Sequence, residues 1–185
     1  MKDKKLPSRW KMLRDDLHAD CRIFDVRKRS FRRESDGVQG DFFVLDTNDW
    51  VNVLALTKQN ELVLVRQFRY GTEEFSLEPP GGVVEKEENP LVAGLRELKE
   101  ETGYVGTDAE LIGSSRPNAA ILSNYCHFVL VRNVEKTSNL SFDQHEELVT
   151  ELYPIDELEG LVQKGEITHS IGLNAIFRLI LHLGQ

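Results

Sequence analysis

Three glutamates at helical spacing lie in the middle of this chain, within the segment GGVVEKEENPLVAGLRELKEETGY at positions 81–104. These are Glu97, Glu100 and Glu101, and a helix would bring them to neighbouring positions on its surface. Like charges at this spacing repel each other by roughly 0.2–0.5 kcal/mol per pair. A solvated helix face is the ordinary interpretation. The alternative is a site that binds a hard cation such as Mg²⁺ or Mn²⁺ through carboxylate oxygens.

Clear start and stop signals define the helix that would carry these glutamates. Asn89 is a favourable N-cap, and Pro90 suits the first helical position because the N–H that proline lacks is not needed there. Gly103 can adopt the left-handed conformation just beyond the last turn. The sequence therefore predicts a helix from Pro90 to about residue 102. The residues expected to face the core are Leu91, Leu95 and Leu98.

The spacing around this helix matches a known pattern. Five residues separate Gly82 from Glu88, and seven more separate Glu88 from the run RELKEETGY at 96–104. This resembles the Nudix box, G-x5-E-x7-R-E-U-x-E-E-x-G-U, where U is apolar or aromatic, and every defined position matches. The resemblance implies a loop–helix–loop that binds divalent cations, and hydrolysis of a nucleoside diphosphate linked to another moiety. It also implies that Arg96 braces Glu88 or its neighbours rather than contacting substrate.

The same resemblance implies a set of metal ligands and a catalytic base. The implied ligands are the carbonyl of Gly81 and the carboxylates of Glu97, Glu100, Glu101 and Glu146. In the branch of the family that this chain resembles, the base lies on a loop before a late strand. The candidates for the base are Glu146, then its neighbour Glu147, whose alternative role is a solvated charge at a strand start, and then Glu100. His145 lies on the same loop and ranks below both glutamates.

Two stretches before the box resemble the branch that hydrolyses ADP-ribose and nucleoside-diphosphate sugars. They are LVRQFRYG at 64–71 and EFSLEPPGG at 74–82, where Gly81 replaces the usual alanine. The resemblance implies that Arg66, Arg69 and Glu78 bind substrate, with the arginines at phosphate or terminal ribose. The alternative for either arginine is a salt bridge on a sheet edge.

The N-terminal residues 1–45 are predicted to form strands. In the relatives that this chain resembles, such strands pair across a homodimer and supply an aromatic ring that stacks on the nucleobase of the substrate. Phe42 is the leading candidate for that ring. The others are Phe31, Phe43 and Trp50, and a place in the core is the alternative for each. Residues 46–185 are predicted to form the Nudix hydrolase domain.

Composition limits the class of protein. The chain has 185 residues, 40% of them hydrophobic, so one sizeable core is expected. A formal net charge of −8 argues against nonspecific binding to nucleic acid or to an anionic membrane surface. There are two cysteines without metal-type spacing, neither a secretory signal nor a long apolar run is evident, and a cytoplasmic location is expected.

Strand-like runs rich in β-branched and aromatic residues flank the predicted helix on both sides. The strand candidates are CRIFDVRKRSFRRES, DFFVLD, WVNVLAL, ELVLVRQF, NYCHFVLVRNV and EELVTELYPI. Two further helices are predicted at IDELEGLVQKG and THSIGLNAIFRLILHL. The expected fold is therefore α/β, a Nudix-type α/β/α sandwich with a mixed sheet and an N-terminal β extension.

The function expected from the resemblance is metal-dependent hydrolysis of the diphosphate bond of ADP-ribose or a related nucleotide sugar. The products would be a nucleoside monophosphate and a sugar phosphate, and the cofactor Mg²⁺, with Mn²⁺ as a substitute. Two alternatives remain: a nucleotide-sugar sensor without turnover, and a housecleaning nucleoside triphosphate pyrophosphatase. The intact glutamates argue against the first alternative, and the flanking stretches argue against the second.

Overall fold

The structure is a computed structural model that describes residues 6–141 and 147–184. The chain divides into two compact units. One comprises Met1–Thr47 with Asn118–Asn124, and the other comprises Asn48–Pro117 with Tyr125–Gln185. Within the described residues, no helix is both long enough and apolar enough to cross a membrane. Cys21 is exposed and Cys126 is buried, and both are free thiols.

The first unit is built on a three-stranded antiparallel sheet. Its strands are β1 (Trp10–Asp20), β2 (Asp25–Arg33) and β3 (Gln39–Asp46), in the order β1-β2-β3. A bridge between Leu45 and Leu122 joins the later segment to this unit. None of the buried hydrophobic residues described in the chain belongs to this unit. The sheet therefore has no core of its own.

The second unit contains a mixed sheet. Its strands are β4 (Trp50–Thr57), β5 (Glu61–Arg69), β6 (Glu74–Glu78), β7 (Gly81–Val83), β8 (Tyr104–Val105), β9 (Asp108–Ser115), β10 (Cys126–Lys136) and β11 (Leu148–Pro154). The main order is β11-β5-β4-β10-β8, while β6, β7 and β9 pair with β5, β4 and β10 respectively. The central β4–β10 pair is parallel, and the remaining pairs are antiparallel.

Three helices complete the described part of this unit. They are α1 (Pro90–Thr102), α2 (Leu158–Gln163), which follows a 3-10 turn at Ile155–Glu157, and α3 (Ser170–Leu183). The predicted ends of α1 are confirmed. The Asn89 side chain accepts a hydrogen bond from the Leu91 N–H, and Gly103 has φ 72°, in the left-handed region that favours glycine.

Two hydrophobic cores lie on opposite faces of the mixed sheet. Alternate residues of β4 enter different cores, because successive side chains of a strand point to opposite faces. Val51 and Val53 pack in the core that contains Leu98 of α1. Leu54 packs in the core that contains residues of α2 and α3. Helices thus cover both faces, and the predicted α/β/α sandwich with a mixed sheet is confirmed.

Candidate active site

The glycine pair at positions 81 and 82 lies against the glutamates of α1. Glu101 is only 4% exposed, and its Oε2 accepts a hydrogen bond of 2.9 Å from the Gly81 N–H. A Cβ atom at Gly82 would lie 2.4 Å from Glu97 Oε1, and one at Gly81 would lie 2.0 Å from the Val51 carbonyl oxygen. Any larger residue would collide at either position. Gly82 therefore allows the loop to approach the Glu97 carboxylate closely, whereas Gly81 allows it to approach β4.

Arg96 connects three of the clustered carboxylates. Its Nε and Nη2 donate to the two oxygens of Glu88 at 3.1 and 3.0 Å, and its Nη1 donates to Glu97 Oε1 at 2.8 Å and to Glu100 Oε2 at 3.2 Å. The hydrogen bond from Arg96 holds the pKa of Glu88 below its usual value. Arg96 thus braces Glu88, as expected from the sequence.

The chemistry of this cluster fits a divalent cation. Its side-chain donors are all carboxylate oxygens, the ligands that Mg²⁺ and Mn²⁺ prefer, and one guanidinium cannot neutralise the charge of Glu88, Glu97 and Glu100 together. Across residues 6–141 and 147–184, no three acidic, histidine or cysteine side chains converge as a metal site. Glu97 and Glu100 instead point to Arg96 nitrogens. The predicted ligand set Gly81, Glu97, Glu100, Glu101 and Glu146 stays a prediction.

A second charged group lies beside the glycine loop. Glu78, at the end of β6, is 1% exposed, and its two oxygens accept hydrogen bonds from Nε and Nη2 of Arg69 at 2.8 and 2.7 Å. His169 Nδ1 lies 2.9 Å from Glu78 Oε2, at ion-pair distance but without hydrogen-bond alignment. Burial alone would raise the pKa of Glu78, but the contacts from Arg69 and His169 outweigh it and hold the pKa well below its usual range.

A cavity of about 720 Å³ opens beside the glycine loop and beside the Arg69–Glu78 pair. Gly81 and Gly82 line it together with Arg69, and the residues before α3, including His169, form another part of its wall. Cys126 also lines it, and burial raises the pKa of this thiol to about 12, so the thiol stays protonated at neutral pH. The cavity therefore joins the glycine loop, a guanidinium and apolar surface, a combination that suits a ligand with both phosphate and apolar parts.

Comparison with known proteins decides the family. The model of the NUDIX domain matches residues 47–171. The chain belongs to the Nudix family. The resemblance to the Nudix family that the sequence showed is thereby confirmed. The glycine loop and α1 together form the Nudix box of this chain.

Two curated relatives resemble part of the chain, and a solved structure resembles nearly all of it. The ADP-ribose pyrophosphatase of Bacillus subtilis strain 168 is 33% identical over 120 residues, covering 63% of this chain and 64% of the relative. The methanol dehydrogenase activator of Bacillus methanolicus is 34% identical over 99 residues, 54% of each chain. The chain thus spans between about half and two thirds of these two relatives. A crystal structure of ADP compounds hydrolase superposes with a TM-score of 0.87 at 22% identity, covering 98% of this chain and 97% of that one.

Arg66 and Arg69, the two arginines predicted to bind the substrate, have different surroundings in this Nudix protein. They are three residues apart in β5, so their side chains point to opposite faces of the sheet. Arg69 lines the cavity beside the Nudix box. Arg66 forms hydrogen bonds of 2.6 and 3.3 Å with Glu151, which matches the salt-bridge alternative. A substrate contact for Arg66, Arg69 or Glu78 stays a prediction.

The aromatic candidates fall in both units. Phe42, in the first unit, is exposed and has ring contacts at 5.8 Å with Trp10 and with Phe31. Phe43 contacts the ring of His18 at 5.0 Å. Trp50 lies in the second unit, where it lines the cavity and packs against the core. Stacking of Phe42 on the nucleobase of a substrate stays a prediction.

Two of the candidates for the catalytic base, Glu147 and Glu100, lie within the described residues. Glu146 and His145 lie outside the described residues. Glu147 is exposed and immediately precedes β11, while Glu100 is half exposed on α1. His169 was not among the predicted site residues, because no local sequence signal links a residue just before α3 to Glu78. The order of the strands and α3 creates that contact.

Proposed function

We propose that the protein hydrolyses the diphosphate bond of ADP-ribose or a related nucleoside-diphosphate sugar. The products would be a nucleoside monophosphate and a sugar phosphate. The observation that carries the proposal is the close approach of the box glycines to Glu97 and Glu101 in a chain of the Nudix family. The names of relatives from Bacillus subtilis and Escherichia coli, an ADP-ribose pyrophosphatase and an ADP compounds hydrolase, support this substrate class.

Mg²⁺, with Mn²⁺ as a substitute, is the proposed cofactor. The ligands would be the carbonyl of Gly81 and the carboxylates of Glu97, Glu100, Glu101 and Glu146. A bound divalent ion neutralises phosphate charge and makes a coordinated water more acidic. Because Arg96 now donates to Glu97 and Glu100, these two side chains would exchange a guanidinium contact for the ion.

The chain's own residues would orient the substrate and remove a proton from the attacking water. Arg69 carries its charge into the cavity beside Gly81 and can face a phosphate, since its side chain is 45% exposed while Glu78 holds it in place. Glu146 is the proposed base, followed by Glu147 and Glu100. A loop carboxylate suits this step because it can approach once substrate is in place.

A second candidate function is regulation of a partner protein through nucleotide-sugar binding. One observation favours it: a relative 34% identical over 99 residues is a methanol dehydrogenase activator. Turnover distinguishes this candidate from the first.

A substrate panel tests both candidates. Purified protein with Mg²⁺ or Mn²⁺ would be assayed against ADP-ribose, GDP-mannose, other nucleotide sugars, dinucleoside polyphosphates and nucleoside triphosphates, with Glu97→Gln as the matched inactive control. Release of AMP and ribose phosphate from ADP-ribose is expected. Preference for triphosphates would assign a housecleaning role instead, and saturable binding of nucleotide sugars without any turnover would favour the regulator.

We also propose a homodimer that covers the first unit. A small antiparallel sheet needs a packed face for stability, and this sheet has no core of its own. Its exposed large hydrophobic residues include Trp10, Met12, Leu13, Leu17, Phe42 and Phe43. Light scattering at micromolar concentration should give the mass of two chains, and Leu17→Lys should weaken association. A monomeric mass for the unaltered protein would overturn the proposal. The cytoplasmic location stays a prediction.

A further inference from the structure

His169 lies between the buried carboxylate of Glu78 and the cavity beside the Nudix box. Its Nδ1 is 2.9 Å from Glu78 Oε2, and its side chain is 32% exposed and lines the cavity. The residue directly precedes α3, and its carbonyl oxygen accepts a hydrogen bond from the Leu173 N–H in the first turn of that helix. The start of α3 therefore fixes the backbone of His169, while the ring reaches both the carboxylate and the cavity.

The first turn of α3 packs closely on the residue that follows Glu78. Gly172 is buried, and a Cβ atom there would lie 3.3 Å from Pro79 Cδ. A larger side chain at this position would push the helix away from β6. The absence of a side chain at Gly172 thus allows α3 to bring His169 within contact distance of Glu78.

The contact with Glu78 determines which ring nitrogen of His169 carries hydrogen. A neutral imidazole has one N–H group and one nitrogen lone pair. The pKa of Glu78 lies well below its usual range, so its carboxylate is ionised at neutral pH, and a lone pair on Nδ1 would be repelled at 2.9 Å. Nδ1 therefore carries the hydrogen. In the neutral ring Nε2 then has only a lone pair, and it cannot donate to a phosphate oxygen until it takes up a proton.

The charges beside the cavity would favour that proton when an anion binds. Glu78 offsets the charge of Arg69, because its two oxygens accept hydrogen bonds from Arg69 Nε and Nη2 at 2.8 and 2.7 Å. The pair is thus close to neutral as a whole. A diphosphate adds negative charge, and a nearby negative charge favours the imidazolium form of a histidine. Protonated His169 would give this group a net positive charge and an N–H donor at Nε2.

The other titratable groups of the cavity are unsuited to this response at neutral pH. Among the described residues of its wall, they are Arg69, Tyr70, Glu74 and Cys126. A guanidinium stays charged, and burial raises the pKa of the Cys126 thiol to about 12. Tyr70 and Glu74 are exposed, and neither a phenol nor a carboxylate ordinarily changes charge near neutral pH. On the segment before α3, Glu166 contacts a β5 guanidinium outside this cavity.

We propose that His169 binds a phosphate of the substrate through Nε2 as the imidazolium, so that binding of the diphosphate is coupled to the uptake of a proton. The identity of the diphosphate rests on the proposed function. Because binding consumes a proton, the affinity should fall as the pH rises through the range of about pH 5 to 8 in which histidine changes charge. His169 is thus a binding residue beside Arg69, and the role of base remains with the glutamates.

Counting protons tests this coupling directly. Binding of ADP in the presence of Mg²⁺ would be measured by titration calorimetry in buffers that differ in heat of ionisation. The slope of the observed heat against that heat gives the number of protons taken up. At about pH 7.5, the unaltered protein should take up about 0.5 proton or more per ADP beyond the uptake of His169→Asn. Asparagine keeps an N–H donor near the position of Nδ1 but cannot be protonated.

The pH dependence of affinity gives a second measurement. His169→Asn should bind ADP about 10-fold more weakly than the unaltered protein at about pH 6, and nearly as well at about pH 8.5. In turnover assays at about pH 6, this variant should raise KM for ADP-ribose with little change in kcat. Its thermal stability should stay close to that of the unaltered protein, since a donor to Glu78 is retained.

His182→Asn is the matched control. His182 lies at the other end of α3, its Nε2 is 3.3 Å from Glu110 Oε1, and it is not part of the described cavity wall. The same substitution in the same helix, again next to a carboxylate, should leave both the proton uptake and the ADP affinity unchanged.

Three results would contradict the inference. They are equal proton uptake by the unaltered protein and His169→Asn, a loss of affinity in this variant that is the same at both pH values, and no measurable binding of ADP to the unaltered protein. The second result would assign His169 a structural role only. Failure of the proposed function has a different signature: no nucleotide sugar is hydrolysed, yet proton uptake that depends on His169 still supports the phosphate contact.

Discussion

Replacing Arg69 with methionine should strongly destabilise the second unit. The change keeps most of the side-chain length but removes two hydrogen bonds, of 2.8 and 2.7 Å, from a carboxylate that is 1% exposed. Glu78 would then be a buried charge with His169 as its remaining described neighbour of opposite potential charge. Removing one partner of a buried ion pair typically costs about 3–5 kcal/mol. That is a large fraction of the roughly 5–15 kcal/mol that stabilises a typical domain.

The reciprocal change, Glu78→Gln, should cost less. The Arg69 side chain is 45% exposed, so water can replace part of what it loses, and solvent screening lowers the contribution of its charge. We expect a loss of about 1–2 kcal/mol. The double variant should be more stable than the sum of the two losses predicts, because both single changes break the same contact.

The effect should depend on pH with a defined sign. The pKa of Glu78 is lower in the folded protein than its ordinary value of 4.5. Its contribution to stability is therefore fully present above that ordinary value and is lost as the pH falls through the lower folded pKa. The difference between the unaltered protein and Glu78→Gln should be largest at neutral pH and should shrink below about pH 4.

Urea unfolding followed by Trp50 fluorescence in a Trp10→Phe background would measure these differences in the second unit. Arg66→Met is the matched control, since Arg66 is in the same strand but its partner Glu151 is 26% exposed. The control should cost clearly less than Arg69→Met. If both variants lose the same stability, or if the loss in Arg69→Met is the same at pH 7 and at about pH 3, the reasoning from burial is wrong.

Three further predictions concern catalysis and metal binding. Glu97→Gln and Glu101→Gln should each lower kcat by about 100-fold or more at saturating Mg²⁺ without changing the fold, since each removes a charged ligand but keeps its size; near-normal turnover would contradict the ligand assignment. Mg²⁺ at about 100 times its Kd should stabilise the protein by roughly 2.7 kcal/mol, and thermal melts unchanged by tens of millimolar metal would argue against a cation site. Glu146→Gln should lower kcat by about 100-fold or more with little change in KM, with Glu147→Gln milder; the reverse ranking moves the role of base to Glu147.

Local patterns in the sequence determined the box and most of the elements around it. The cap residues Asn89 and Gly103 define α1 because their effects act within one helical turn. Strands such as β4 and β5 are recognisable since their apolar runs are buried on both faces. The fold class and the family follow from these local signals together.

Strands were expected in residues 1–45, but β1 was not identified as a separate strand, because its stability is not local. β1 has the charged sequence WKMLRDDLHAD, which shows little apolar alternation. Its pairing with β2 forms the strand, and Arg27 and Arg29 of β2 contact Asp15 at 2.9 and 3.2 Å. The short strands β6, β7 and β8 likewise depend on the partner that each one meets in the sheet.

Tertiary structure alone decided how the candidate site is assembled. Arg66 and Arg69 are three residues apart in β5 and point to opposite faces, but only the packing around β5 determines that Arg69 lines the cavity while Arg66 meets Glu151. His169 meets Glu78 because α3 packs back toward the end of β6, a contact between residues far apart in the chain. Spacing along the sequence fixes which carboxylates share a helix, whereas packing between distant elements fixes which charges are buried and which face a ligand.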